Sequence, residues 1–420
     1  MTGSAVPLAD VQRLVLAGPG RPAHQVTYAL LEVVDAPAAR RRLASMLDES
    51  PGHRWRLSCS DLRAETVNGE RTYLSTSLGL TAHGLAALGV SDDELATFPF
   101  EFKQGPHARC GFLGDIGVNA PDHWLEHFTA QSLHRLHVVI SVWEPADHTA
   151  GDEMLDDLAR TDSGMTTLTS FKGHRRRGGR EPFGFRDGMG NPRIAGVERP
   201  AHARPLPGEE VALGEFVLGH ESQFGDRLRS WRVPGAAKRP EDRLGMNGSF
   251  AALRVMRQDV DLFRRWMEHN GELAAQLLCG VTFDGDELFP NGVGGAGTAA
   301  LDHGVDPICV LGSHVARANP QHNLVSRVHH RRRIIRRGMP YEWSEEEGLI
   351  GLFICANLGA QYEGVLGDWM NNAVHDPRLT GTSDPLVGYQ GRDSSRQFVI
   401  TRGVSYLFLP GRAGLQRIVT

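Results

Sequence analysis

The sequence predicts an α+β chain made of two ferredoxin-like domains with antiparallel sheets. Three observations carry this expectation. Short apolar, β-branched runs recur in both halves. Stretches of helical spacing fall between them. A segment rich in Gly, Arg and Pro, Gly173 to Pro207, separates the two sets and puts a domain boundary between 207 and 208.

Each element has its own signal. Val26 to Val34 (VTYALLEVV) is apolar and β-branched, the pattern of a buried strand. Ala36 to Leu47 carries Pro37 in its first turn, where the missing N–H costs nothing, and reads as a helix. Tyr73 to Gly79 reads as a strand, Thr81 to Leu88 as a short helix and Val138 to Trp143 (VVISVW) as another strand. The second half restarts with strand-like Gly214 to Gly219 (GEFVLG) and Ser249 to Met256. Val260 to Leu278 has helical spacing at Leu262, Phe263, Trp266, Leu273 and Leu277. Gly351 to Ala356 reads as an apolar strand and Ala360 to Trp369 as a helix. Gln397 to Thr401 and Val404 to Pro410 read as two strands turning at Arg402-Gly403.

Composition narrows the function classes. The 420 residues are 40% hydrophobic and 23% charged, enough to bury one or two cores without staples. A net charge of −5 gives no electrostatic reason to expect nucleic acid or an anionic membrane as partner. No run of 18 apolar residues occurs, so no membrane span is expected. The first residues, MTGSAVPLADVQRLVL, lack a basic region followed by a long apolar one, and a cytoplasmic location is expected. The five cysteines (Cys59, Cys110, Cys279, Cys309 and Cys355) form no CxxC pair. That argues against a zinc site, a disulfide framework and covalent haem attachment through CxxCH.

Three segments carry candidate chemistry. Glu181 to Pro192 (EPFGFRDGMGNP) holds Asp187 among Gly184, Gly188 and Gly190. Such a loop can present a carboxylate as a base or ligand, or can be a solvated Asx-type turn. Leu311 to Pro320 (LGSHVARANP) offers one histidine, His314, with no second histidine at zinc-binding spacing. One imidazole suits a haem iron, although a lone histidine is more often a satisfied structural residue. Val328 to Tyr341 (VHHRRRIIRRGMPY) is a basic run. It reads as a solvated face, a phosphate patch, or a half-buried strand that turns one arginine inward. By alternation Arg336 shares a face with Ile334, and Arg337 faces the other way. Gly292 to Gly297 formally matches GxGxxG, but polar, turn-like residues precede it, so it is read as a loop.

The order of these motifs resembles the dye-decolorising peroxidase family. GxxDG is present as Gly184-Phe185-Arg186-Asp187-Gly188, followed by Ser313-His314-Val315-Ala316-Arg317-Ala318-Asn319-Pro320 and by Arg333-Ile334-Ile335-Arg336-Arg337-Gly338-Met339-Pro340-Tyr341. Asp10 to Leu14, Ser77 to Gly89, Asp384 to Gly388 and Gly403 to Pro410 also resemble family segments, so the likeness spans nearly the whole chain. Three positions depart from the pattern. Val310 follows Cys309 where proline is usual, Ser313 replaces alanine, and Glu347 stands where the family begins a strand with arginine-glycine.

The resemblance implies a peroxidase with haem b held without covalent links in the C-terminal domain. His314 is the expected iron ligand, with Asp384 on its far nitrogen and Arg317 and Phe353 also contacting the haem. Asp187 and Arg336 are expected on the peroxide side. Hydrogen peroxide and organic electron donors such as dyes or phenols are the expected partners, without nucleic acid or membrane, and a homo-oligomer is left open. The competing reading on the same scaffold is a haem-binding or iron-releasing protein. Bulky donors would need a surface site and an electron path through Trp or Tyr, and none of Tyr341, Trp343 or Trp369 is singled out for it.

Overall fold

The computed structural model describes residues 8–16, 24–48, 56–59, 65–67, 70–72, 74–160, 162–188, 191–197, 210–223, 231–286, 288, 311–320, 332–343, 346–389 and 397–420. Eight long strands are β1 (Gln25–Val33), β2 (Ser75–Leu80), β3 (Val138–Glu144), β4 (Met165–His174), β5 (Ser249–Gln258), β6 (Ile335–Trp343), β7 (Glu346–Cys355) and β8 (Val399–Leu409). The helices that matter here are α1 (Ala36–Ser45), α2 (Ala82–Ala87), α3 (Phe100–Leu113, kinked at Gly105-Pro106) and α4 (Ala150–Leu158). They continue with α5 (Val260–Asn270), α6 (Glu272–Cys279), α7 (His314–Ala318) and α8 (Leu358–Met370).

All eight strands lie in one antiparallel sheet, ordered β6-β7-β5-β8-β2-β3-β1-β4. Each half of it, β4-β1-β3-β2 and β8-β5-β7-β6, has the ferredoxin-like order in which the fourth strand flanks the first. The two expected units are present, joined edge to edge. The expected boundary at 207/208 lies outside the described residues. Val26 to Leu31 and Ser249 to Val255 are buried without interruption, as befits strands covered on both faces.

The joint between the halves is narrow. β8 and β2 share the register pair Phe408–Leu80. Beside it the buried amide of Gln12 replaces backbone pairing: its Nε2 donates to the carbonyls of Leu78 and Pro410 (2.8 and 3.0 Å), and its Oε1 accepts from the Leu78 N–H (3.0 Å). At the far edges, β4 and β6 meet. Trp343 donates its indole N–H to the Lys172 carbonyl at 3.0 Å and stacks on Phe171 at 4.7 Å. A Cβ on Gly173 would lie 3.0 Å from the Pro340 oxygen, so glycine permits this approach.

Three sequence expectations are corrected. Gly214 to Gly219 is not a strand but a short 3₁₀ turn (Leu213–Glu215) followed by turns. The helical pattern of 260–278 is two helices, because Gly271 takes φ 89° between them. The expected hairpin at Arg402-Gly403 is one strand, β8, with a bulge that leaves Arg402 without a partner in β5. Gly403 packs under Phe128, where a Cβ would come within 2.5 Å of the ring, and the Arg402 carbonyl accepts from the Leu125 N–H. The glycine therefore serves close packing rather than a turn. Tyr73 and Gly292 to Gly297 lie outside the described residues, whereas the Ala360 to Trp369 helix is present within α8, wound with π-type turns.

Candidate active site

His314 opens α7 and is held by a carboxylate at its back. Its Nδ1 lies 3.3 and 3.2 Å from the two Asp384 oxygens. Asp384 is fully buried and sits in the turn it also forms: Oδ1 accepts from the N–H groups of Leu386 and Val387, both at 2.9 Å. Burial opposes its charge, but His314 and the two N–H groups outweigh burial and hold the carboxyl below the usual range. Both readings of Asp384 thus hold, as turn former and as imidazole partner. Among the described residues nothing is hydrogen-bonded to His314 Nε2, and the side chain is 24% exposed.

Arg317, one turn on, is buried. Its donors go to the Gly312 carbonyl (2.8 Å), the Thr382 carbonyl (2.8 Å) and the Thr382 hydroxyl (2.7 Å). These bonds tie α7 to the segment that carries Asp384.

Arg336 is the second residue of β6, with Phe353 directly across the ladder in β7. The alternation holds: Arg337 points the other way, its Nε donating to the Leu14 carbonyl at 2.7 Å. Burial lowers the Arg336 pKa, offset chiefly by the negative charge of Asp187. Asp187 caps its own turn, accepting from the Gly188 N–H at 2.6 Å, while Gly184 and Gly188 take φ 99° and 79°. Burial pushes the Asp187 carboxyl up, against the pull of Gly188 N–H, Arg336 and Arg175.

The loop bearing Asp187 is pinned from several sides. Glu181 accepts from the N–H groups of Phe183 and Phe185 (3.0 and 2.8 Å) and from Gln258 (2.5 Å). Phe183 stacks on Phe263 at 4.3 Å and Phe185 on Phe283 at 4.7 Å, which docks the loop on α5 of the other half. Asn191 clamps the Arg336 backbone, donating to its carbonyl (3.1 Å) and accepting from its N–H (2.8 Å). The carboxylate loop and the arginine strand are thereby fixed to one another. Burial pushes the Cys279 thiol up to about 12, with smaller electrostatic contributions from Glu181, Asp384 and Arg336.

No family model matches the chain. Curated relatives do, along most of their length. Peroxidase 2 of Mycetinis scorodonius is 25% identical over 81% of this chain and 74% of that protein. A dye-decolorizing peroxidase of the same fungus, msp1, is 22% identical over 82% of this chain and 76% of its own. The solved structure of an ancestral D-type dye-decolorizing peroxidase superposes with a TM-score of 0.76 at 21% identity, covering 99% of this chain and 100% of that one. In sequence and in fold the chain resembles the dye-decolorising peroxidases. A fungal member from Auricularia auricula-judae gives the same TM-score, 0.76, with both chains covered in full at 20% identity.

Within that family frame the donor set suits haem. One imidazole is oriented by a buried carboxylate on one nitrogen and has no partner among the described residues on the other, which is what a porphyrin-bound iron asks of a protein. The Cys309-Val310 departure lies outside the described residues. Ser313 is the buried N-cap residue of α7. Glu347 pairs with Arg176. The residues that sequence reasoning missed are Glu181, Asn191 and Cys279. The signal for the first two was present in the quoted loop, as a carboxylate ahead of two N–H groups and an Asn-Pro pair. Cys279 gave no signal beyond its apolar helix.

Proposed function

We propose that this protein is a haem peroxidase that reduces hydrogen peroxide and oxidises organic donors such as dyes and phenols in one-electron steps. The observation that carries it is the His314–Asp384 pair, whose second imidazole nitrogen has no hydrogen-bond partner among the described residues, together with the buried Arg336 and Asp187, which interact electrostatically with each other. The curated relatives are named peroxidases, and one solved relative is described in complex with 2,6-dimethoxyphenol. The cofactor is haem b held without covalent links, since the chain has no CxxCH. Residues 208–420 form the haem-holding unit on this reading, because His314, Arg336, Phe353 and Asp384 all belong to it. The Asp187 loop reaches over from the first unit.

Bound haem supplies the redox-active iron at which peroxide is reduced. The chain supplies the rest. His314 Nε2 is the ligand atom, and Asp384 takes the Nδ1 hydrogen bond, which makes the ligand more basic. Peroxide must lose a proton from one oxygen and gain one on the oxygen that leaves. The Asp187 carboxyl, raised by burial, can hold that proton in between. Arg336 remains a guanidinium and cannot be the base, but it faces the negative charge that develops on the departing oxygen. Phe353, across from Arg336, keeps that face apolar. A protein that only carries haem or releases iron has no use for this acid–guanidinium pair, so the peroxidase reading is favoured.

The test is spectroscopic. Protein loaded with haem should show a Soret band that changes on one equivalent of peroxide, and His314→Ala should lose or strongly alter it. The same spectrum in the variant would remove His314 from the iron.

A further inference from the structure

A buried path leads from Phe353 away from the peroxide side. The Phe353 ring lies 5.7 Å from Tyr362, and Tyr362 meets Tyr406 edge-on at 5.9 Å. The Tyr406 hydroxyl donates to Glu363 Oε1 at 2.8 Å. Glu363, fully buried, is gripped by Arg109 through Nε (2.9 and 3.1 Å) and Nη2 (2.5 Å). Arg109 reaches the surface on α3, its guanidinium carbon 6.0 and 5.9 Å from the rings of Phe100 and Phe112. Those two rings are 60% and 45% exposed, large for phenylalanine.

Electrostatics discriminates among the aromatic residues that could hold a missing electron. An oxidised ring next to a cation is disfavoured, and an oxidised phenol must lose its proton to be stable. Trp369 lies under Arg332, at 5.1 Å from ring centre to guanidinium carbon. Tyr362 accepts a hydrogen bond from buried Arg254 at 3.1 Å. The hydroxyls of Tyr28 and Tyr341 are buried without a hydrogen-bond partner. Of these buried tyrosines among the described residues, Tyr406 is the one whose phenol points at a carboxylate. Burial, Tyr362 and Glu363 all push its own ionisation well above the ordinary range, so proton and electron must leave together.

We propose that Tyr406 is a redox-active residue that passes an electron through Tyr362 and Phe353 toward the peroxide-oxidised centre, while its phenolic proton moves to Glu363. This rests on the peroxidase reading, which supplies the oxidant. The balance is simple. One electron leaves the phenol, its O–H bond breaks and an O–H bond forms on Glu363 Oε1. The neutral tyrosyl then takes one electron from an organic donor and recovers the proton from Glu363. An oxidised phenol is acidic enough to protonate even a carboxylate paired with Arg109. The path meets solvent where Arg109 emerges between Phe100 and Phe112, and an electron-rich aromatic donor can stack there.

The experiment uses the haem-loaded protein, one equivalent of peroxide and no donor, with electron paramagnetic resonance as readout. A tyrosyl signal that narrows with ring-deuterated tyrosine is expected. It should vanish in Tyr406→Phe and persist in Tyr28→Phe. Glu363→Gln is the second arm, because an amide can accept the hydrogen bond but not the proton, and the signal should be lost there too. A signal that survives in whichever of these two relay variants takes up haem, or a tryptophan signal in the unaltered protein, overturns the proposal. No peroxide-induced change in the Soret band of the unaltered protein overturns the peroxidase reading, and the relay with it.

Discussion

Asp384→Asn isolates the charge behind His314, the proposed iron ligand. The replacement has nearly the same shape. Its amide oxygen can still accept from the Leu386 and Val387 N–H groups, so the turn that Asp384 forms should survive. What disappears is the negative end of the 3.2 Å contact to His314 Nδ1. A hydrogen bond to a charged group contributes about 1.5–3 kcal/mol. Altering a partner of a ligating histidine costs about 10–100-fold in metal affinity, or about 1.4–2.7 kcal/mol. The two estimates agree, and because Asp384 is fully buried, little of the effect is screened by solvent. Loss of the anion disfavours the ferric state more than the ferrous. Each tenfold difference between the two moves the midpoint potential about 59 mV upward for a one-electron couple. Haem titration gives the affinity, and a redox titration followed in the Soret band gives the potential. An unchanged affinity together with an unchanged potential would refute the idea that Asp384 acts on the iron through His314.

Arg336→Leu should keep haem but slow the reaction with peroxide by about 10²–10³, the usual cost of removing one preorganised charge partner, as read by stopped-flow absorbance. Haem loss in place of slow chemistry would make Arg336 a structural residue. Asp187→Asn should lower the same rate by about 10²–10⁴ and flatten its acid limb. Because burial raises the Asp187 pKa, the unaltered protein should lose the carboxylate base as pH falls, and at a higher pH than an ordinary aspartate would. A pH profile identical in both proteins would remove Asp187 from proton transfer. Gly403→Ala should destabilise the fold by about 1–3 kcal/mol, because its Cβ would sit 2.5 Å from the Phe128 ring, and thermal unfolding should read the loss.

Periodicity made the fold's skeleton legible, because buried strands such as Val26 to Leu31 cannot avoid looking apolar and β-branched. It failed where a glycine has a tertiary purpose. Gly271 breaks a helix that the apolar spacing runs straight through, and Gly403 looks like a turn until Phe128 is seen above it. The candidate site was legible as an ordered set of motifs, not as geometry. His314 and Asp384 are 70 positions apart, and no local pattern says that they touch. The alternation that split Arg336 from Arg337 was readable because a strand's faces follow from its pleat. The Asn-Pro pair marked Asn191 but not its role, which is to hold the backbone of a strand from the other half.

Having β8 at the centre of the sheet dictates when assembly can finish. The strand that bridges the halves is made of residues 399–409, so synthesis from the N-terminus releases β1 to β4 long before their neighbour exists. Until then the rim of β2 is covered only in part, by the Gln12 amide and by Leu57 and Ser58, which pair with Thr76. Closure of the sheet therefore waits for β8, and a ribosome pausing before that strand is made would leave the β2 edge exposed to aggregation.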